Sequence, residues 1–276
     1  MPAASHYKAK MVPDSAHDAS RLQRPTGELE NCLAVVTGSS GGIGRAIALE
    51  LAVAGADVLV HARRNRQGAQ ETVENIRSMG RQANLVLADL SETAGQDELL
   101  EQAWQWRGRV DIWINNAGAD VLTGEAAAWP FDRKLEQLWK VDVVAALRLS
   151  RAAGGRMKAA GGGVILNIGW DQAEIGMAGD SGELFAATKG SVMAFSNSLA
   201  ASLAPRVRVN CLAPGWIKTA WGEGASQGWQ ERARRESLLD RWGTPEDVAR
   251  CARFLVSPAA AFITGQTVAV NGGLRR

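Results

Sequence analysis

The chain predicts an α/β fold: a single-domain, doubly wound, Rossmann-type parallel sheet of about seven strands with helices on both faces. Three observations carry this. Short apolar runs rich in Val, Ile and Leu alternate with longer stretches of helical spacing, the order expected of a parallel sheet buried on both faces. A glycine-rich turn joins the first run to the first helix. The length of 276 residues suits one large domain, with an ample core and no need of disulfide or metal. Right-handed crossovers then place ligands at the carboxyl ends of the strands.

The elements follow in order. Leu33 to Thr37 is a strand. Ile43 to Ala54 puts Ile43, Ile47 and Leu51 on one helical face. Val58 to His61 is a strand, and Gln67 to Met79 a polar-faced helix. Leu85 to Leu87 is strand-like, Glu98 to Trp106 helical, and Val110 to Ile114 a strand. Phe131 to Ala159 reads as one long helix. Val164 to Ile168 is a strand, and Ser181 to Ala204 a helix. Val207 to Leu212, Pro245 to Val256 and Thr267 to Val270 close the series as strand, helix and strand. Residues 1–30 hold Pro2, Pro13 and Pro25 among Ser, Ala and balanced charge, and read as a flexible tail. The folded domain is therefore expected over residues 31–276.

Composition excludes several function classes. A net charge of +2 gives no bulk electrostatic case for nucleic acid or an anionic membrane. No apolar run approaches the roughly 20 residues of a membrane span, and the N-terminus lacks the apolar stretch of a signal peptide. A cytoplasmic location is the expectation. Cys32, Cys211 and Cys251 lie far apart with no C-x-x-C. They read as buried, reduced thiols, and no metal site is expected.

The turn Thr37-Gly38-Ser39-Ser40-Gly41-Gly42-Ile43-Gly44 sits between the first strand and the first helix. Its glycines let the backbone turn tightly and approach a ligand closely. Free amides and the positive end of the helix dipole then favour a pyrophosphate. On these residues the chain resembles the short-chain dehydrogenase/reductase family, whose T-G-x-x-x-G-x-G pattern the loop matches in full. Further matches are Asp89-Leu90, Asn115-Asn116-Ala117-Gly118, Pro214-Gly215 with Thr219, Ile263-Thr264-Gly265 and Val270-Asn271-Gly272-Gly273. The resemblance runs from about Leu33 to Gly273.

The resemblance implies a nicotinamide nucleotide as cofactor. Gly38, Ser40, Gly42, Ile43 and Gly44 would hold its phosphates, and Asp89 and Leu90 its adenine. Asn116, Ala117 and Gly118 would line its middle. Lys189 would hold the nicotinamide ribose, with Pro214, Gly215, Ile217 and Thr219 around the nicotinamide itself. Relatives with NAD carry an acidic residue at the end of the second strand to grip the ribose diol. Here that position is Ala62, followed by Arg63 and Arg64. No carboxylate repels a 2′-phosphate there, and a guanidinium binds one. NADP(H) is therefore preferred, with NAD(H) possible, and Arg45 adds to the positive field. Gly41 stands against this preference, because some NADP-specific relatives carry a basic residue there. His61 falls near the adenine end and is not expected to be catalytic.

The family's chemistry rests on Asn, Ser, Tyr and Lys. By resemblance, Tyr protonates the carbonyl oxygen, Ser hydrogen-bonds it, Lys lowers the Tyr pKa, and Asn supports a proton-relay water. This chain retains Lys189. Phe185 stands in the Tyr position, Asp142 in the Asn position and Trp170 in the Ser position. The only tyrosine is Tyr7, in the tail. A phenyl ring neither gives nor takes a proton. The remaining candidates for catalysis are Lys189 and Asp142, with Asp142 either pairing with Lys189, acting as a relay carboxylate, or being a solvated or capping residue. Ser181 is a weak substitute for the missing hydroxyl. The loop from Trp170 to Leu184 carries Asp171, Glu174, Asp180 and Glu183, any of which replaces the phenol if desolvation raises its pKa.

Ten tryptophans accompany the single tyrosine. Trp113 and Trp139 fit the core. Trp216, Trp221 and Trp229 fall in a segment of about 215–243 that resembles the family's substrate lid. With Trp170 and Phe185 they would line a broad aromatic pocket, suited to a flat aromatic or sugar-like small molecule, or they pack among themselves. Arg232, Arg234 and Arg235, offset by Glu231, Glu236 and Asp240, read as a solvated mixed-charge helix. Three functions stay open: an oxidoreductase on a carbonyl or alcohol with a non-standard proton donor, a nucleotide-binding sensor or partner subunit, and an elimination-type enzyme. By resemblance, the two long helices would join a homotetramer or homodimer.

Overall fold

A computed structural model describes residues 27–274. Seven strands form one parallel sheet in the order β3-β2-β1-β4-β5-β6-β7. They are β1 (Leu33–Val36), β2 (Asp57–Ala62), β3 (Ala83–Leu87), β4 (Ile112–Asn115), β5 (Gly163–Ile168), β6 (Val207–Pro214) and β7 (Thr267–Val270). The order reverses between β1 and β4, which opens a crevice at the carboxyl edge of the sheet.

Helices α1 (Gly42–Val53), α2 (Arg66–Ser78) and α9 (Pro245–Val256) cover one face. On the other lie α3 (Thr93–Arg107), α5 (Ala146–Ala159) and α6 (Asp180–Leu203). Alternate strand residues supply the two cores. Leu166 and Ile168 of β5 face α1 and α9, whereas Ile165 faces α3 and α5. Their near-complete burial explains why the strands read as unbroken apolar runs. Local chemistry sets the helix ends. Asn65 caps α2 by accepting from the Gly68 amide, and Thr244 and Asp247 form a capping box on α9 behind Pro245.

Five expectations need correction. The tail ends before residue 30: Leu29 is buried in the core and Glu28 pairs with Arg253 at 2.5 Å. Residues 1–26 lie outside the described residues. The fourth strand begins at Ile112, because Asp111 serves to anchor the Leu33 amide through its carboxylate. The helix from Phe131 to Ala159 is α4 (Phe131–Leu138) and α5 joined by a π-helical stretch, Trp139–Ala145. Trp139 is 44 % exposed, because Leu138, Val141 and Asp142 take the inward face of that stretch. Of the thiols only Cys211 is buried; Cys32 and Cys251 are half-buried at the flanks.

The segment of about 215–243, expected from resemblance to be a lid, holds α7 (Ala220–Gly224) and α8 (Gln227–Glu236). It is tied down at its far end, where Leu238 and Leu239 amides donate to Gly273 and Gly272 carbonyls.

Candidate functional site

The glycine-rich turn is built for close backbone approach. Gly38 has φ +65°, and a Cβ there would lie 2.9 Å from the Ala117 Cα. A Cβ on Gly44 would lie 2.3 Å from the Gly38 carbonyl oxygen. The Asn116-Ala117 segment after β4 braces this turn from one side. Asn116 Nδ2 donates to the Thr37 and Gly38 carbonyls, and the Asn116 and Ala117 amides donate to Thr37 Oγ1. Helix α1 has no side-chain cap and no acidic residue in its first turn. Its leading amides are left for an anion. A groove of about 310 Å³ opens beside it, between Gly42 and the Lys218–Thr219 start of the lid.

His61 locks the turn from the other side. Its Nδ1 accepts from the Gly38 amide at 3.1 Å, and Nε2 donates to the Ala88 carbonyl at 3.0 Å. The Ser39 amide donates to the His61 carbonyl, and the His61 amide to Ser39 Oγ. Burial pulls the imidazole pKa down to about 4, against the opposing pull of the Ala88 carbonyl. His61 is thus a neutral ring that clamps the turn.

Arg45 lines the edge of the groove beside α1, but its guanidinium is engaged by the protein. Its guanidinium donates to the Ser40 and Gly68 carbonyls, to Thr72 Oγ1 and to Glu71. It braces the turn against α2, so its contribution to a positive field is offset by Glu71. Arg63 and Arg64 are exposed at the end of β2 and form no ion pair among the described residues. Asp89 faces them. Burial works to raise its pKa, but hydrogen bonds from Ser91 and the charges of Arg63 and Arg64 hold it below the usual carboxylate range. The Leu90 side chain is buried in the core, which leaves only its backbone for a ligand.

On the other half of the crevice, Lys189 and Asp142 come together. Lys189 Nζ lies 2.8 Å from Asp142 Oδ2, with the two side chains 12 % and 2 % exposed. The π-helical stretch carries Asp142 inward, a position where such widened turns often occur. Asp142 Oδ1 accepts from the Ala119 amide at 2.9 Å. Lys189 also donates weakly to the Ile168 carbonyl at 3.4 Å. Of the alternatives for Asp142, pairing is the one present.

Phe185 lies one turn before Lys189 on α6. It packs against the small apolar cluster of Val121, Leu138 and Leu184. Trp170, at the end of β5, meets it edge to face with ring centroids 6.3 Å apart. Below them Cys211 is inert: burial pushes its thiol up to about 12, despite the Lys189 charge nearby. The Ser181 hydroxyl makes no hydrogen bond among the described residues.

The four acids expected in one loop separate, because α6 begins at Asp180 and takes Asp180 and Glu183 into its first turn. Glu174, Asp180 and Glu183 are exposed. Asp171 is not: burial raises its pKa to about 6, opposed by a hydrogen bond from Asn271 Nδ2 at 3.1 Å. Its Oδ1 is buried without a partner. Gly215 is needed beside it, since a Cβ there would lie 2.6 Å from the Asn271 Cβ and 3.0 Å from Asp171 Oδ2. Sequence singled out Asp171 only as one of four; its contact with Asn271, 100 positions away, has no local signal.

The lid aromatics pack among themselves. Trp216 lies 5.3 Å from Trp229 and 6.3 Å from Trp242, ring centre to ring centre. Arg232 stacks on Trp229 and Trp216 and pairs with Glu236, which also accepts from Trp216 Nε1. Trp242 was not foreseen, because it lies outside the apolar runs. Of the expected aromatic pocket Trp170 and Phe185 meet, whereas Trp216 and Trp229 pack with Trp242 instead; the Trp221 side chain lies outside the described residues. Arg234 pairs with Asp240, as a mixed-charge helix would. No group of His, Cys, Asp and Glu among the described residues is arranged to hold a metal. No described helix is long and apolar enough to cross a membrane.

Comparison with known proteins matches residues 38–275 to the family model described as enoyl-(acyl carrier protein) reductase. Dehydrogenase/reductase SDR family member 4 of Sus scrofa is 34 % identical over 89 % of this chain and 88 % of its own. A 7α-hydroxysteroid dehydrogenase, solved with NADH and 7-oxo glycochenodeoxycholic acid, superposes with a TM-score of 0.81. It is 30 % identical over 89 % of this chain and 95 % of its own. A short-chain dehydrogenase of Burkholderia cenocepacia in complex with NADP gives a TM-score of 0.80, at 30 % identity over 89 % and 98 % of the two chains.

Proposed function

This chain belongs to the short-chain dehydrogenase/reductase family of NAD(P)-dependent oxidoreductases, and we propose that it binds NADP(H) and acts on a carbonyl or alcohol with a proton donor other than tyrosine. The carrying observation is the contrast within the crevice. Helix α1 behind the glycine turn starts with no side-chain cap and no acidic residue in its first turn, while Phe185 lies one turn from Lys189 where a phenol would serve.

The residues fit the nucleotide. Gly38, Ser40, Gly42, Ile43 and Gly44 would hold the phosphates, with Arg63 and Arg64 at the 2′-phosphate and Asp89 and Leu90 toward the adenine. Asn116, Ala117 and Gly118 would follow along the crevice. Lys189 would hold the nicotinamide ribose, and Pro214, Gly215, Ile217 and Thr219 would enclose the ring. The bound nucleotide would supply hydride. The chain's own residues orient it: Asp142 holds Lys189, and the Trp170–Phe185 pair presents an apolar wall to the substrate. That wall suits a flat hydrophobic molecule, a class that includes the steroid named with one solved relative.

A second reading has its own support. Phe185 and Trp170 offer the substrate oxygen no phenol and no serine hydroxyl, and the Lys189 charge is matched by Asp142. A chain that binds the nucleotide without turning over would look the same.

A titration of the protein with NADPH and NADH, followed by Trp fluorescence, tests the cofactor assignment. Tight NADPH and weak NADH binding is expected. Arg63→Ala should weaken NADPH by roughly tenfold and NADH little, a loss the size of one charge-assisted contact. Equal losses for the two nucleotides would remove Arg63 from the 2′-phosphate. Absence of binding to either would end the oxidoreductase reading.

A further inference from the structure

We propose that Asp142 and Phe185 are a coupled pair of departures: Asp142 cancels the Lys189 charge, so the crevice is set against ionising a hydroxyl at position 185, and restoring the phenol alone leaves it an ordinary phenol. The proposal deepens the nucleotide-binding reading of the same crevice and names Asp142 as a positioning residue.

The geometry carries it. An ammonium one helical turn from a phenol, within about 4–6 Å, lowers the phenol pKa by roughly 1–3 units. Here that ammonium does not stand alone. Its Nζ lies 2.8 Å from a carboxylate that is 2 % exposed. A carboxylate this close to the ammonium opposes the pull of its charge on any group beside them. Asp142 is held firmly in this role. Its second oxygen is taken by the Ala119 amide, and Gly118 makes room for it, since a Cβ there would lie 2.7 Å from Oδ2.

Phe185 is fitted to the same arrangement. Its ring packs with Val121, Leu138 and Leu184, and Ala119 packs against that cluster too. The residue that Asp142 fixes is thus part of the wall that receives the phenyl ring. Trp170 closes the other side, edge to face. An apolar ring beside a neutralised ion pair is a self-consistent site. A phenol beside a free ammonium would be a different one, and it requires both positions to change.

The test uses the full chain with Tyr7→Phe as background, so that a tyrosine at position 185 is the only phenol. Tyrosine labelled with carbon-13 at Cζ then gives one resonance, titrated without cofactor from about pH 7 to about pH 11. In Phe185→Tyr the phenol should titrate at about 10 or above. In Phe185→Tyr with Asp142→Asn it should fall by roughly 1–2 units, because the amide keeps an acceptor for Ala119 but leaves the ammonium unmatched. Asp142→Ser, with a hydroxyl as acceptor, repeats the measurement if the Asn variant does not fold. Identical titration in the single and double variants would overturn the proposal, as would a depressed phenol pKa in Phe185→Tyr alone. The measurement needs no substrate or nucleotide, so its failure is distinct from a failure of NADPH binding.

Discussion

The two halves of the crevice are held by different kinds of interaction. Around the phosphate turn the constraint is backbone. Gly38 and Gly44 have no room for a side chain, and His61 and Asn116 clamp main-chain atoms. Around Lys189 the constraint is side-chain pairing: Asp142 with Lys189, and Trp170 with Phe185. Backbone constraints tolerate few residues, so this half matches its family pattern in full. Side-chain pairs are replaceable as sets, and this half is held by one ion pair and one aromatic pair.

The comparison is broken most sharply at the ion pair. Lys189→Met leaves the Asp142 carboxylate buried without its partner, which should destabilise the fold by about 3–5 kcal/mol. Adding Asp142→Asn should return most of that loss. Urea unfolding of the two variants measures it, and equal stability of the single and double variants would mean that the pair is not a unit.

The phosphate half is probed by acid. His61 titrates near 4 when folded and near 6.5 when unfolded, with burial as the main cause. A depressed histidine contributes stability that is full above about pH 6.5 and is lost as pH falls toward 4. The loss amounts to about 3 kcal/mol, from 1.36 kcal/mol per unit. His61→Gln should flatten stability between about pH 6.5 and pH 4. An unchanged acid limb in that variant would show that the clamp does not depend on a neutral ring.

The smallest effect lies at Asp171, between the Lys189 half and the lid. Its folded pKa is raised from 3.8 to about 6. The native state therefore holds a proton that the unfolded chain has released, and stability from this group falls as pH rises between those values. With partial solvent screening the penalty above pH 6 is on the order of 1 kcal/mol. Asp171→Asn should stabilise the protein by that amount at neutral pH and by nothing near pH 4. A gain that is the same at both would place the effect outside titration.

Much of the fold was legible because its signals are local. The buried strands are short apolar runs, and Thr244-Pro245 announces the start of α9 to the residue. Errors fell where long-range contacts decide. Leu29 belongs to the core because it packs under β1 and β2, with its amide bonded to the Ala54 carbonyl. Trp139 is exposed because the π-helical stretch turns Asp142 inward. Trp216 and Trp229 looked like a pocket wall from their number, yet they pack against each other and Arg232, with Trp242 on Trp216.

By itself the sequence determined the sheet, the glycine turn, and which residue types stand one helical turn apart at positions 185 and 189. Each depends on periodicity or on backbone conformations that few residues adopt. Only the tertiary structure decided that Asp142 meets Lys189, that Arg45 is spent on its own loop, and that one loop acid of four is desolvated. Those outcomes depend on distance and burial between residues far apart in the chain, for which the sequence carries no period.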